Sequence, residues 1–519
     1  MEEKYLYGAS VQGIQGFIFQ TNKLIEIAGA SELVEQICFK AFEEYVKDEK
    51  EKDENWIVRA AGKILYVFEN KENCRKAVLE FPRKVMKMAP GITISQAVVR
   101  IKGDLSDYGE QSDELEKRLR VQRNKAVRSQ TLGLMAIKRA PSTGLPAVEE
   151  VGKEYGGGNE KELIDEASAS KKKMKDSIDL ARKAFGEEVT EKKITNEIDK
   201  IAGKNSWIAV IHADGNGLGN IVQRVGKNAK EMRDFSLELD KITKMSARRA
   251  FGEVKKDYFK DDIIPIRPIV LGGDDVTVIC KADFAVEYTK IFLEAFEEES
   301  KKLGENRLTA CAGIAYVKSS YPFHYAVDLA EKLCGRAKKE AKKIDKDLAP
   351  SCLMFHKVED SFITDIEEIK SRMLTPQEKT SFEFGPYYCG EHAKTKGSVT
   401  TATIGQLIKN VKELNGNEGS AIKSHLRQWL ATLFDDVEMA NQKMKRIISI
   451  GDPQVIKKLE LEKYQQLLKI DNQQVAENLA LEKYQKLLKN GEISIPFYDI
   501  LSLCSVSSFD SLTEKNIQI

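Results

Sequence analysis

Gly272-Gly273-Asp274-Asp275 lies between two apolar runs, Ile264 to Leu271 and Val276 to Cys280, and it constrains this chain more than any other segment. The runs alternate as strands do, and a glycine pair supplies the positive φ and missing side chains of a tight turn. Both carboxylates are therefore expected at a hairpin tip, fixed by a strand on either side, as metal ligands must be. Taken alone, the same string is also an ordinary hairpin turn. Both readings stand at this point.

A second acidic strand end lies about sixty residues upstream, where the apolar run Trp207 to Ala213 ends in Asp214. Gly215-Asn216-Gly217-Leu218-Gly219 follows and opens a helix at Asn220-Ile221-Val222. Backbone N–H groups in such a turn can face an anion while the strand-end carboxylate holds a divalent cation. The string is neither a Gly-x-x-x-x-Gly-Lys-Ser/Thr loop nor a dinucleotide fingerprint. His212 shares a strand face with Asp214 by the period of two, and a core or pocket-wall histidine is the expectation. Downstream, Leu308 to Val317 reads as a strand, and Tyr321-Pro322 starts a helix through Ala326, Leu329, Leu333 and Ala337-Lys338. From Trp207 to about Phe355 the order is strand, helix, strand, hairpin, strand, helix (Phe284 to Leu303), strand, helix. That is the α+β order of a ferredoxin-like palm.

Asp214, the Gly-Gly-Asp-Asp hairpin, and Ala330-Glu331 followed seven residues on by Ala337-Lys338 together resemble one particular palm. It is shared by diguanylate cyclases and the large polymerase-cyclase subunit of type III CRISPR effectors, and the Asp-Asp ending points to the CRISPR branch. The resemblance implies a nucleotidyltransferase that binds ATP with two Mg²⁺ (or Mn²⁺) ions and joins AMP units into 3′-5′ linked cyclic oligoadenylate, releasing pyrophosphate. The product would be a second messenger of prokaryotic antiviral defence. It implies that Asp214, Asp274 and Asp275 are the catalytic and metal-holding residues. Gly215, Asn216, Gly217, Leu218, Gly219, Gly272, Gly273 and Ser31 would contact the nucleotide. Lys338 would meet the β and γ phosphates; its other reading is a solvated lysine on a basic helix.

The amino-terminal segment looks like a first, degenerate palm of the same subunit. Tyr5 to Phe19 and Thr21 to Ser31 carry this likeness, with a loop expected around Gly29-Ala30-Ser31 and a hairpin at Ala60-Ala61-Gly62-Lys63. No carboxylate stands where the second palm has Asp214, Asp274 and Asp275. This palm is expected to lack a metal site and to close the nucleotide pocket of the other.

The division expected over 519 residues is a degenerate palm at 1–114, a helical connecting region at 115–200, the catalytic palm at 201–357 and a mostly helical end at 358–519. Lys plus Arg, 82, balance Asp plus Glu, 81, so no global basic field argues for non-specific nucleic-acid binding. The basic runs Lys117 to Arg128, Lys171-Lys172-Lys173 and Lys338 to Lys343 read as solvated helix faces, with an RNA contact open for the first. Eight cysteines without a Cys-x-x-Cys pair read as reduced core residues rather than zinc ligands. No apolar run reaches membrane-spanning length and no leader precedes the first strand, so a cytoplasmic protein is expected. None of the five histidines is followed by Asp, and the His-Asp nuclease domain of many such subunits is therefore not expected. Leu459 to Lys469 recurs twenty residues on as Leu479 to Lys489, read as a duplicated helical segment. Three settings stay open: an effector complex with guide RNA and other subunits, a stand-alone antiphage cyclic (di)nucleotide synthase or homo-oligomer, and a non-catalytic nucleotide-binding scaffold.

Overall fold

The computed structural model describes residues 3–49, 52–60, 62–102, 108–125, 135–152, 161–259, 263–359, 366–376, 380–395, 402–467, 488–489 and 492–507. The first palm begins with strand β1 (Glu3–Gln12), then helices α1 (Ile14–Ile18) and α2 (Leu24–Gln36). Strands β2 (Trp56–Ala60) and β3 (Lys63–Phe68), helix α3 (Lys71–Met88) and strand β4 (Thr93–Lys102) complete it. Its sheet runs β2-β3-β1-β4, antiparallel throughout. The Asn70 side chain caps α3 by accepting from the amides of Glu72 and Asn73.

Gly29, Ala30 and Ser31 are inside α2, so the loop expected there is a helix. Gly29 is what lets another element lie flat against it, since a Cβ there would collide with the Lys171 carbonyl oxygen. The neighbour comes from the connecting region, which is not all helical. It holds α4 (Tyr108–Asn124), a hairpin of β5 (Ala147–Gly152) and β6 (Lys161–Asp165), then α5 (Glu166–Lys173), α6 (Asp179–Phe185) and α7 (Ile198–Ala202). Helix α5 packs on α2, and its basic run is not a solvated face. Lys171 is fully buried, its Nζ 4.3 Å above the Phe17 ring and 3.1 Å from Gln20 Oε1. Burial pulls its ammonium down to about 8. Lys172 pairs with Glu162 at 3.1 Å. The run on α4 does face solvent at Lys117, Arg118 and Arg120, above a buried Leu115 and Leu119.

The second palm repeats the plan with β7 (Trp207–Gly215), α8 (Leu218–Val225), α9 (Ala229–Tyr258), β8 (Ile266–Gly272), β9 (Asp275–Lys281), α10 (Ala285–Glu299) and β10 (Ala310–Lys318). The order β10-β7-β9-β8 matches β4-β1-β3-β2 of the first palm strand for strand. Helix α11 (Phe323–Ile344) then crosses over to β11 (Cys352–Lys357), which adds in parallel to β10. Alternate residues of β7 enter two cores: Ala209, Ile211 and Ala213 join one, while Ile208 and Val210 join a second that also holds Tyr7, Ile27 and Val34 of the first palm. The two palms thus share a hydrophobic core, and the chain is an α+β protein of two palms. The expected strand-helix order from Trp207 is met except that two helices, α8 and α9, stand between β7 and β8 where one was expected.

Beyond β11, short strands β12 (Thr380–Ser381) and β13 (Tyr387–Tyr388) precede helices at Ile404–Asn415, Asn417–Thr432, Val437–Ile450, Pro453–Lys458 and Leu461–Leu467. Strand β15 (Glu492–Ser494) pairs with β12 on one side and with β14 (Leu488–Lys489) on the other, and a helix at Phe497–Val506 follows. The first copy of the repeat is helical over Leu461–Leu467. Nearly all of the second copy is outside the described residues. All eight cysteines are free and buried. Among the described residues no helix is long and apolar enough to cross a membrane.

Candidate active site

Three strand ends meet at the site. Asp214 is the next-to-last residue of β7, in register with Cys311 of β10. On the other side β7 pairs with β9 up to Ala213 opposite Val276. Strands β8 and β9 close with Gly272 opposite Asp275, which leaves Gly273 and Asp274 as the two turn residues. Gly273 has φ +61° and Asp274 does not have positive φ, the pattern of a type II′ turn with glycine in its first central position. Asp274 therefore occupies the tip, while Asp275 is the first residue of β9 and not a tip residue.

Asp274 packs directly on Gly215: a Cβ at Gly215 would come within 2.8 Å of the Asp274 Cβ and 2.9 Å of its Oδ2. Only glycine lets the hairpin tip approach the end of β7 so closely. From α11, Lys338 sets its ammonium against Asp214 Oδ2 and 2.8 Å from the Gly215 carbonyl. Burial, then the adjoining Asp214 carboxylate, push Asp274 up to about 7. Burial, then Asp214 and Asp274, push Asp275 up to about 8. Asp275 Oδ1 is buried without a hydrogen-bond partner, 3.4 Å from His212 Nδ1. That nitrogen also lies 3.1 Å from Thr277 Oγ1, and burial lowers His212 to about 4, leaving it neutral near pH 7. His212 is buried in the sheet, consistent with the core or pocket-wall histidine expected from its strand position.

The glycine-rich loop is used unevenly. Gly217, at φ +79°, is the N-cap of α8 with no side chain capping that helix. Leu218 and Gly219 thus carry first-turn amides that a helix leaves without an internal partner. Asn216 points the other way. Its amide donates to the Thr309 carbonyl at 2.7 Å, and its side chain donates to Thr309 Oγ1 at 3.0 Å and Cys311 Sγ at 3.3 Å. Asn216 pins the loop to β10 and does not face the site.

A cavity of about 230 Å³ opens beside Asp275, between the two palms. The first palm contributes Gln15, Ser31 and Val34, and the second Leu271, Thr277 and Glu331. Ser31 is nearly buried, its hydroxyl donating to the Ile27 carbonyl at 3.0 Å. Gln15 donates to Glu331 across the mouth. Glu331 is raised by burial, then by Asp328 and Asp214.

Residues 207–347 match the family model described as Cas10/Cmr2, second palm domain. The chain carries a Cas10-like palm. Among solved structures it is similar to the Csm1-Csm4 cassette in complex with cA3, with a TM-score of 0.55, 13% identity and coverage of 98% of this chain and 70% of that one. The same cassette in complex with AMPPNP matches with a TM-score of 0.54 at 13% identity, over 97% and 70%. The Csm1-Csm4 subcomplex in the type III-A CRISPR-Csm interference complex gives 0.52 at 13%, over 97% and 70%. At these identities the likeness is one of fold. No curated protein matches.

In this Cas10-like palm, Asp214, Asp274, Asp275, Gly215 and Lys338 come together at one corner, with Gly272 closing β8, Gly273 opening the turn and Ser31 lining the cavity from the opposite palm. Among the described residues no three His, Cys, Asp or Glu side chains are gathered closely enough to ligate an ion as they stand. The donor chemistry nevertheless fits a hard divalent cation. Three carboxylates and the Gly215 carbonyl are all oxygen donors, and their mutual crowding helps raise Asp274 and Asp275 above the ordinary carboxylate range. Sequence reasoning quoted Glu331 within the palm motif without giving it a role, and it missed Gln15 and Thr277. The last two carry no local signal, because only the tertiary fold brings α1 and β9 to one cavity.

Proposed function

We propose that the chain is a nucleotidyl cyclase that takes ATP and forms 3′-5′ linked cyclic oligoadenylate, as part of a type III CRISPR-like defence system. The observation that carries this reading is the crowding of Asp214, Asp274 and Asp275 around Lys338, beside a cavity built from both palms. Carboxylates crowded in this way favour a bound positive charge, and perturbed acids of this kind mark functional sites. Bound there by Asp214, Asp274, Asp275 and the Gly215 carbonyl, Mg²⁺ or Mn²⁺ would supply charge neutralisation on the triphosphate and a lowered pKa for an attacking 3′-hydroxyl.

The chain's own groups do the rest. Lys338, paired with Asp214 and the Gly215 carbonyl, would serve the β and γ phosphates as a point charge. The first-turn amides Leu218 and Gly219 hold phosphate oxygens at the positive end of α8. Val34 and Leu271 give the cavity apolar walls that exclude water, while Ser31, Gln15 and Thr277 supply polar contacts to the nucleoside. Holding donor and acceptor between two palms replaces a bimolecular encounter by an oriented one. No protein nucleophile is required.

The similar solved structures pair Csm1 with Csm4, and a Csm4-like subunit is the partner proposed for this chain. Incubating pure protein with each nucleoside triphosphate and Mg²⁺ or Mn²⁺, then identifying products by mass spectrometry, tests the reading. Cyclic oligoadenylate from ATP supports it. Unreacted ATP under every condition, with and without a Csm4-like subunit, contradicts it.

A further inference from the structure

The turn that presents Asp274 is gripped from outside the sheet. Thr243, on α9, is 1% exposed, and its hydroxyl lies 2.5 Å from the Gly273 carbonyl oxygen and 3.0 Å from that of Leu239, one helical turn back. A hydroxyl has a single proton to donate. The Leu239 carbonyl is already served by the helix, as every interior carbonyl is. The Gly273 carbonyl belongs to the central peptide of the two-residue turn and stands outside the β8–β9 pairs. The shorter contact and the greater need for a donor coincide at Gly273.

That one peptide decides the form of the turn. With positive φ at Gly273 alone the form is II′, and rotating the central peptide converts it to I′, with positive φ at both central residues. Aspartate is among the few residues that tolerate this conformation, so nothing at position 274 itself forbids the flip. Flipping would redirect the Asp274 Cα–Cβ bond, which now packs against Gly215. We propose that Thr243 is a positioning residue, whose hydroxyl donates to the Gly273 carbonyl, locks the turn in the II′ form and aims Asp274 at the Asp214 and Gly215 corner. Its consequence for metal affinity rests on the reading of Asp274 as a metal ligand; its consequence for the turn does not.

The chain contains three Gly-Asp pairs, Gly103-Asp104, Gly273-Asp274 and Gly451-Asp452. Glycine labelled with ¹³C at the carbonyl, combined with ¹⁵N-aspartate, therefore gives one carbonyl-to-amide cross-peak for each, and Asp274→Asn identifies that of the turn by its loss. Thr243→Val keeps the shape and removes the donor. It should move or split the turn's cross-peak while leaving the other two in place, and Thr243→Ser should restore the wild-type position. Mn²⁺ binding, measured by electron paramagnetic resonance, should weaken about tenfold or more in Thr243→Val and recover in Thr243→Ser. Should the valine variant fail to fold, Thr243→Ala provides the same comparison. An unmoved cross-peak in the donorless variant overturns the proposal, whatever happens to Mn²⁺. A moved cross-peak with Mn²⁺ affinity unchanged, in both this variant and Asp274→Asn, supports the positioning role and removes the metal reading instead.

Discussion

At the residue scale the site is a store of like charge. Asp274 and Asp275 have folded-state values of about 7 and about 8 against an ordinary value of 3.8. The folded chain therefore binds more protons than the unfolded one above pH ~4, and stability from these groups drains away as pH rises through the folded values. Asp274→Asn with Asp275→Asn should consequently raise the melting temperature in the presence of chelator, slightly near pH 5 and most at pH 8 to 9. The Asp275 share is the smaller, because 44% of its side chain meets water. Differential scanning fluorimetry across that range checks this, and a variant less stable than wild type at pH 8 would remove the crowding argument. Lys338 and Lys339 separate a specific ammonium from a diffuse field. Lys338→Ala should cut synthesis by about tenfold, roughly 1.4 kcal/mol, whereas the exposed Lys339→Ala changes little; equal losses would leave Lys338 without a role of its own.

At the scale of elements, most of the second palm was legible in the sequence because its strands are short apolar runs closed by glycine and aspartate. Its helices carry apolar residues at helical spacing, as Ala326, Leu329, Leu333 and Ala337 do on α11. The misreadings share one cause, tertiary packing. Gly29-Ala30-Ser31 suggested a loop, yet Gly29 serves the approach of α5 to α2 and Ser31 lines the cavity. Lys171 looked solvated, yet Phe17 and Gln20 receive its ammonium. Asn216 looked like part of a phosphate loop, yet its hydrogen bonds go to β10. Helix α9, which carries Thr243, depends on its N-cap, where the Asn228 side chain accepts from the amides of Lys230 and Glu231. Asn228→Ala should cost about 1 kcal/mol of stability, read by denaturant unfolding, without altering nucleotide affinity; a loss of affinity at unchanged stability would show that the cap acts on the site and not on the helix.

At the scale of the whole molecule, two palms of identical strand order are fused through a shared core, and only one keeps its acids. The first palm has become a wall of the cavity, a use that the absence of carboxylates at Ala60-Ala61-Gly62 suggested but could not locate. Gln15 and Glu331 join the palms at the cavity mouth, so charge placed there should act on both at once. Gln15→Glu sets two carboxylates face to face. ATP binding, by titration calorimetry, should weaken several-fold at pH 8 and less as the pH falls, because burial already favours the protonated form of Glu331. An affinity independent of pH would mean that the palms do not close on the nucleotide together. The central claim, that the Asp-Asp corner between the palms does the chemistry, is tested most directly by pyrophosphate release from ATP and Mg²⁺. Wild type and Asp274→Ala with Asp275→Ala should be compared, each with a Csm4-like subunit. Release by wild type that falls to background in the double variant is the predicted result; equal release from both would contradict the account.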